Sequence, residues 1–137
     1  MITRTDKLTE ELKKVETYSD FMVNFTAHPI SGNLLKIKNE DAVKMAVKNR
    51  VMTGFSERLY NPFIGSNVKR KLFEPNDSFL KEDIKKSVEN SLQNDSRINL
   101  IDVVTEIKDH TANIMIYFQV INNPTILNVA ILLRRVR

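Results

Sequence analysis

The sequence predicts an α+β domain in which two helices pack on a small antiparallel sheet. Two segments in the middle of the chain carry apolar residues at the spacing of a helix, and the residues after Ile98 change to a two-residue alternation. Turn residues separate three successive alternating runs, which is typical of a meander. Helices followed by a run of strands indicate an α+β fold.

The N-terminal residues 1–20 are predicted to form an extended or partly helical polar arm, with one weak apolar stripe at Leu8, Leu12 and Val15. Residues 21–38 are interrupted by His28-Pro29 and Ser31-Gly32, so we expect irregular or extended structure there. We therefore predict an arm over 1–20 and a single domain over 21–137.

The first core helix is predicted from Asn39 to about Thr53. Asn39 is a suitable N-cap, Glu40 and Asp41 suit the positive end of the helix dipole, and Gly54 ends the helix. Its apolar face contains Val43, Ala46, Val47 and Val51.

The second core helix is predicted to begin near Asp77 or Ser78, after Pro75, and to end in the polar cluster 93–96. Apolar residues recur at every fourth position on one face: Leu80, Ile84, Val88 and Leu92.

Three strands follow, with apolar alternation over 101–107, 114–120 and 127–133. Leu100-Ile101 breaks the alternation, which suggests a bulge. The last strand, expected over 125–136, places Leu127, Val129 and Ile131 on one face. It could be an open sheet edge, or the 98–107 or 20–38 segment could lie outside it.

Composition limits the classes of function. The 137 residues suit one domain, and the chain has no cysteine for a disulfide, a thiolate metal site or a nucleophile. No apolar run reaches the roughly 20 residues of a membrane span, and the N-terminus lacks the apolar segment of a signal peptide, so we expect a soluble protein made inside the cell. We predict no cofactor, no metal and no membrane partner.

The net charge of +4 includes basic clusters at 69–71 and 134–137. Such clusters can contact phosphates, but neither is interleaved with aromatic residues that would stack on bases. A solvated face or a contact with an acidic protein is the alternative, and we predict no specific nucleic-acid partner.

The connection 57–66 is unusually apolar for a segment between two helices, because it contains Leu59, Tyr60, Phe63 and Ile64. These side chains must be buried against their own domain or against a partner.

Several segments together resemble a family. They are Tyr18-Ser19-Asp20, the block from Glu57 to Ser66 with Phe63-Ile64-Gly65-Ser66, Leu72-Phe73-Glu74, and Tyr117 to Pro124. In this order the chain resembles the gene-product-twenty-five-like baseplate wedge proteins of contractile phage tails, whose relatives include a wedge protein of type VI secretion baseplates. The family's Glu-Pro-Arg signature corresponds here to Asp95-Ser96-Arg97, without the Pro, and the basic C-terminus also departs from the pattern.

The resemblance implies a structural subunit of the virion tail baseplate, assembled in the host bacterial cytoplasm. It implies docking on the wedge's helical core bundle and templating of the first sheath ring by strand addition. The expected partners are the protein of the core bundle and other wedge proteins, the tail sheath protein, and neighbouring inner-baseplate subunits. The expected partner-binding residues are Arg97, Asp95, Tyr60, Phe63, Ile64, Leu127, Val129 and Ile131. For Arg97, a local bond to the helix end or simple solvation is the alternative.

Two other functions remain open. Some members of the family have been described as lysozyme-like, and glycoside hydrolysis needs two carboxylates across a cleft, for which Glu57 and Glu74 are the candidates. A small basic nucleic-acid-binding module is the other alternative. We expect binding and templating, not catalysis. His28 and His110 are far apart in sequence and adjoin turn residues, and the three glycines form no phosphate loop.

Overall fold

The structure, a computed structural model, describes residues 18–75, 78–121 and 123–135. The predicted arm lies outside these ranges except for 18–20. The chain divides into two compact units, Met1–Ala42 and Val43–Arg137. A single domain over 21–137 stays a prediction.

In the first unit, β1 (Ser19–Phe21) and β2 (Lys36–Lys38) form a two-stranded antiparallel sheet with Asp20 opposite Ile37. The main chain between them is held by bonds such as Met22 N–H to Leu35 O, at 3.0 Å. The segment 21–38, expected to be irregular or extended, therefore contains β2 and the last residue of β1, and the rest of β1 lies at the end of the predicted arm.

Helix α1 spans Asn39–Met52 and confirms the first predicted core helix. Asn39 has a positive φ of 50°, which asparagine tolerates better than most residues, and its N–H donates to Tyr18 O at 2.7 Å. Val43, Val47 and Val51 are buried as predicted, and Ala46 is half-buried.

A four-residue helix, α2 (Val68–Lys71), precedes the second predicted core helix, α3 (Leu80–Gln93). Helix α3 starts two to three residues later than expected and ends as predicted, before Asn94. All four apolar residues that recur at every fourth position of this helix are buried: Leu80, Ile84, Val88 and Leu92. This face packs against β3 of the sheet.

The sheet of the second unit contains β3 (Ile98–Lys108), β4 (Thr111–Val120) and β5 (Ile126–Arg134) in the antiparallel order β3-β4-β5. Phe118 on the central strand is fully buried and lies opposite Leu127 of β5. The α+β fold with a C-terminal meander is therefore confirmed.

The register of β3 with β4 shifts between Leu100 and Asp102, as the broken alternation indicated. The bulge leaves Ile101 half exposed, although the sequence pattern had grouped it with the buried residues. None of the helices in the described residues combines the length and apolar character needed to cross a bilayer.

Candidate functional site

The loop between α1 and α2, residues 54–66, is closed at its base by the main chain. Gly54 and Ser66 form an isolated parallel bridge, in which Phe55 N–H donates to Ser66 O at 3.1 Å. Ser66 N–H donates to Thr53 O at 2.9 Å, and Ser66 Oγ donates to Val51 O at 2.6 Å. The two ends of this loop are thus fixed to each other and to the end of α1.

Gly65 makes this closure possible. Its φ is 134°, and a Cβ there would lie 2.6 Å from the carbonyl oxygen of Gly54. Only glycine allows the two strands of the loop base to approach this closely. Inside the loop, Ser56 N–H donates to Pro62 O at 3.0 Å, and the Glu57 carboxylate accepts the Gly54 N–H at 2.5 Å.

The tip of the loop, Leu59, Tyr60 and Phe63, projects into solvent. These side chains are 92%, 101% and 78% exposed, while Ile64 is half-buried. The apolar groups that the sequence required to be buried are therefore not covered by their own domain, apart from Ile64. A fixed loop that exposes three large apolar side chains is typical of a protein–protein contact.

A cleft of about 400 Å³ lies beside this loop. Phe55 and Phe63 contribute its aromatic lining, and Asn90, Asn94 and Lys86 of the α3 side contribute polar groups. Asn67 N–H donates to Ser87 Oγ at 2.9 Å, which ties the end of the loop to α3. The cleft includes the carboxylate of Asp83 and neither Glu57 nor Glu74.

Asp95 and Arg97, the pair after α3, form a bidentate ion pair. Arg97 Nε lies 2.9 Å from Asp95 Oδ1, and Arg97 Nη2 lies 2.7 Å from Asp95 Oδ2. The Asp95 side chain is only 4% exposed, whereas that of Arg97 is 39% exposed. The pair therefore has a buried acidic end and a basic end that reaches the surface.

Arg50, near the end of α1, is the third member of this cluster and was missed by sequence reasoning. Its Nη1 lies 3.6 Å from Asp95 Oδ2, and its Nε donates to Ser91 O at 2.6 Å. Arg50 therefore connects α1 to the C-terminal end of α3. Its place in the last turn of a helix indicates only an interaction with the helix dipole, so no sequence signal pointed to Asp95.

The hydrogen bonds from the Arg97 side chain lower the pKa of Asp95 below its usual value. Burial acts in the opposite direction, and the Arg97 N–H and the charges of Arg97 and Arg50 add to the lowering. Asp95 is therefore held as the carboxylate anion.

Strand β5 lies at the edge of the described sheet, next to β4 only. Arg135 N–H donates to His110 O at 2.7 Å, and the β4–β5 register continues from there without a shift. Because hydrogen-bonded and non-hydrogen-bonded pairs alternate in an antiparallel ladder, the N–H groups of Asn128, Ala130 and Leu132 point away from β4. The side chains of Leu127, Val129 and Ile131 are buried. A partner strand added at this edge would therefore bind the main chain of the neighbouring residues and not these three side chains.

The two sheet edges differ in protection. Strand β3 has the bulge at Ile101 and three charged residues, Asp102, Glu106 and Lys108. Asp102 also pairs with Lys85 of α3 at 2.9 Å. Strand β5 has no charged residue from Ile126 to Leu133 and no register shift. Bulges and charges are the usual defences against strand addition, so β5 is the edge left open to it.

The residues considered for catalysis are dispersed. Glu57 caps the Gly54 N–H, and Glu74 pairs with Lys71 at 3.3 Å. His28 Nδ1 accepts the N–H groups of Ile30 and Ser31 at 3.3 Å each, and His110 lies in the exposed β3–β4 turn. Among the residues that the structure describes, no group of three or more His, Asp or Glu could hold a metal ion.

No protein-family model matches this sequence, and no curated protein matches it. Solved structures do match its fold. A proposed tail lysozyme from Geobacter sulfurreducens aligns over 72% of this chain and 92% of its own, with a TM-score of 0.64 and 19% identity. The chain shares its fold with that protein. A chain of the anti-feeding prophage baseplate aligns over 84% of this chain and 83% of its own, with a TM-score of 0.58 and 16% identity.

Proposed function

We propose that the chain is a structural wedge subunit of a contractile-tail baseplate, assembled in the host cytoplasm and incorporated into the virion or a related injection particle. Of the solved structures that share its fold, one is described as a proposed tail lysozyme and another is a chain of a prophage baseplate. The sequence motifs resemble the wedge family, independently of the fold. The role is to bind neighbouring baseplate and sheath subunits.

The main support for the proposed templating role is the open edge of β5. Outward N–H groups at Asn128, Ala130 and Leu132 offer a partner strand a regular set of donors over an uncharged stretch. Added strands bind chiefly through main-chain hydrogen bonds, so little side-chain specificity is needed. The first sheath ring would extend this sheet from β5 and not from the bulged, charged β3.

Ala130→Pro tests this role, because it removes an outward donor and keeps the bonds between β4 and β5. Proline is tolerated at edge strands for the same reason. Ala130→Ser is the matched control, since it keeps the donor. On baseplates purified with each variant, we expect sheath to polymerise from Ala130→Ser and not from Ala130→Pro in electron micrographs. Normal sheath on a folded Ala130→Pro baseplate would contradict the proposal.

Docking on the wedge core bundle is assigned to the loop tip, to the half-buried Ile64 and to the Asp95–Arg97 pair. Tyr60 and Phe63 supply apolar anchors, and Arg97 supplies a guanidinium oriented by a buried carboxylate. Arg97→Ala is expected to stop co-purification with the co-expressed bundle protein while the monomer still melts cooperatively. Undiminished complex from this variant would count against the assignment.

A glycosidase is the second candidate, because one fold neighbour is described as a proposed tail lysozyme. Opposing it, Glu57 and Glu74 are each engaged in a local contact and neither lines the cleft beside the 54–66 loop. Purified protein is therefore expected not to clear a peptidoglycan suspension. Clearing that is lost in Glu57→Gln or Glu74→Gln would establish the enzyme instead.

A further inference from the structure

The charges around the 54–66 loop and its cleft are not balanced. Arg58 precedes Leu59 and Tyr60 at the tip, and Lys86 lines the cleft with Phe55 and Phe63. Lys69 and Arg70 belong to α2, which begins directly after the cleft residue Asn67. All four cations are exposed, and none forms an ion pair with any described residue.

Three acidic residues of the same region are already engaged. Asp83 and Glu74 both bind Lys71, at 3.0 and 3.3 Å, and Glu57 accepts the Gly54 N–H. Arg58 adjoins the exposed apolar tip in the chain, and Lys86 lines the cleft beside it. Apolar anchors next to cations are complementary to a partner of opposite charge with apolar side chains.

We propose that this surface binds an acidic segment of another protein, in which Asp or Glu side chains flank aromatic or aliphatic ones. Leu59, Tyr60 and Phe63 would pack on the partner's apolar side chains. Arg58, Lys69, Arg70 and Lys86 would pair with its carboxylates. The inference rests on the proposed function only in placing that partner in the baseplate.

The fixed base of the loop favours a short protein segment that binds without a large rearrangement of the loop. The Gly54–Ser66 bridge and the Asn67–Ser87 bond hold the tip and the cleft in place before binding. A preorganised surface loses less conformational entropy on association, so few contacts are sufficient for binding. Nucleic acid is disfavoured because no aromatic residue stands between the cations Lys69, Arg70 and Lys71, so this cluster offers no base-stacking group between its charges.

The test is selection of displayed random 12-residue peptides on the immobilised full chain, followed by fluorescence polarisation with the enriched peptides. We expect enriched sequences in which carboxylates adjoin aromatic or aliphatic residues, and binding that weakens with added salt. Tyr60→Ser with Phe63→Ser, and separately Lys69→Glu with Lys86→Glu, are each expected to weaken binding about tenfold or more. Lys48→Glu with Lys108→Glu is the matched control on other exposed lysines and is expected to change binding less than about twofold.

Three outcomes would overturn the inference: no enrichment over a bare support, enrichment of basic or uncharged peptides, or equal binding by all the variants. A 20-base-pair duplex is assayed in parallel. If no acidic peptide is enriched, and the duplex binds the wild type but not Lys69→Glu with Lys86→Glu, the cations bind nucleic acid and the inference is wrong. Sheath assembly and bundle co-purification use no peptide, so this inference can fail while the proposed function stands.

Discussion

Arg97 binds Asp95 through two side-chain nitrogens, and the two residues differ sharply in exposure. The carboxylate is 4% exposed and the guanidinium side chain is 39% exposed. A buried anion therefore orients a cation that is accessible to a partner. This arrangement links the stability of the junction between α3 and β3 to the surface assigned to docking.

Asp95→Asn is expected to lower the free energy of unfolding by about 2 to 4 kcal/mol, because Arg50 and Arg97 then share a buried site without an anion. Urea denaturation at pH 7 measures the change. Asp109→Asn, at an exposed turn position with a φ of 51° that asparagine accepts, is the matched control. Equal stability of the two variants would mean that the ion pair contributes nothing.

The same pair predicts a pH dependence. The Arg97 hydrogen bonds lower the pKa of Asp95 in the folded state, while the unfolded value is about 3.9. As the pH drops below the unfolded pKa, Asp95 takes up a proton in the unfolded chain before it does so in the folded chain. The free energy of unfolding therefore decreases as the pH decreases. The stability difference between wild type and Asp95→Asn should be full above about pH 5 and shrink as the pH drops below about 4. A difference that stays constant from pH 7 to pH 3 would contradict this cause.

Gly65→Ala is expected to destabilise the protein by about 2 to 4 kcal/mol, since the added Cβ meets the Gly54 carbonyl and φ is unfavourable. Gly32→Ala is the comparison, because its φ is 68° but no atom of the described residues lies within 4 Å of the added Cβ. We expect a loss of about 1 kcal/mol there. Thermal melting of both variants checks the difference, and a smaller loss at Gly65 than at Gly32 would disprove the tight approach.

Thr105→Val is expected to leave stability unchanged or to raise it by up to about 1 kcal/mol. Thr105 Oγ1 is buried and has no hydrogen-bond partner among the described residues, and the residue lies opposite the buried Ile114. Replacing an unsatisfied hydroxyl with a methyl group removes a desolvation penalty and keeps the shape. Thr111→Val, at the start of β4, is the control and should change stability by less than about 0.5 kcal/mol. A lower melting temperature for Thr105→Val would indicate that the hydroxyl has a partner after all.

The fold was largely predictable because its signals are local. The four-residue repeat of α3 and the alternation of β4 each report directly which face is buried. The bulge at Ile101 was predictable as a break, but the outward rotation of that side chain depends on the register with β4. Sequence alternation contains no information on register by itself.

The candidate sites were only partly predictable. Tyr60 and Phe63 were identified because apolar groups in a connection require an explanation, and the structure shows them exposed. The ion pair of Arg50 with Asp95 joins residues far apart in sequence, so no spacing rule reveals it. The sequence suggested that β5 could be an open edge, but it did not show which of its N–H groups point outward. The outward direction of the Ala130 N–H follows only from the register of β5 with β4.

The closed base of the 54–66 loop separates folding from recognition. Bonds at Gly54, Gly65 and Ser66 fix the base, whereas Leu59 and Tyr60 contact mainly solvent. We therefore expect substitutions at the tip to have little effect on the free energy of folding and a large effect on the proposed binding. We expect the sequence of the tip, and with it the binding specificity, to diverge between related proteins faster than the sequence of the rest of the domain. Exchanging residues 58–63 alone should transfer the binding specificity of one such protein to another.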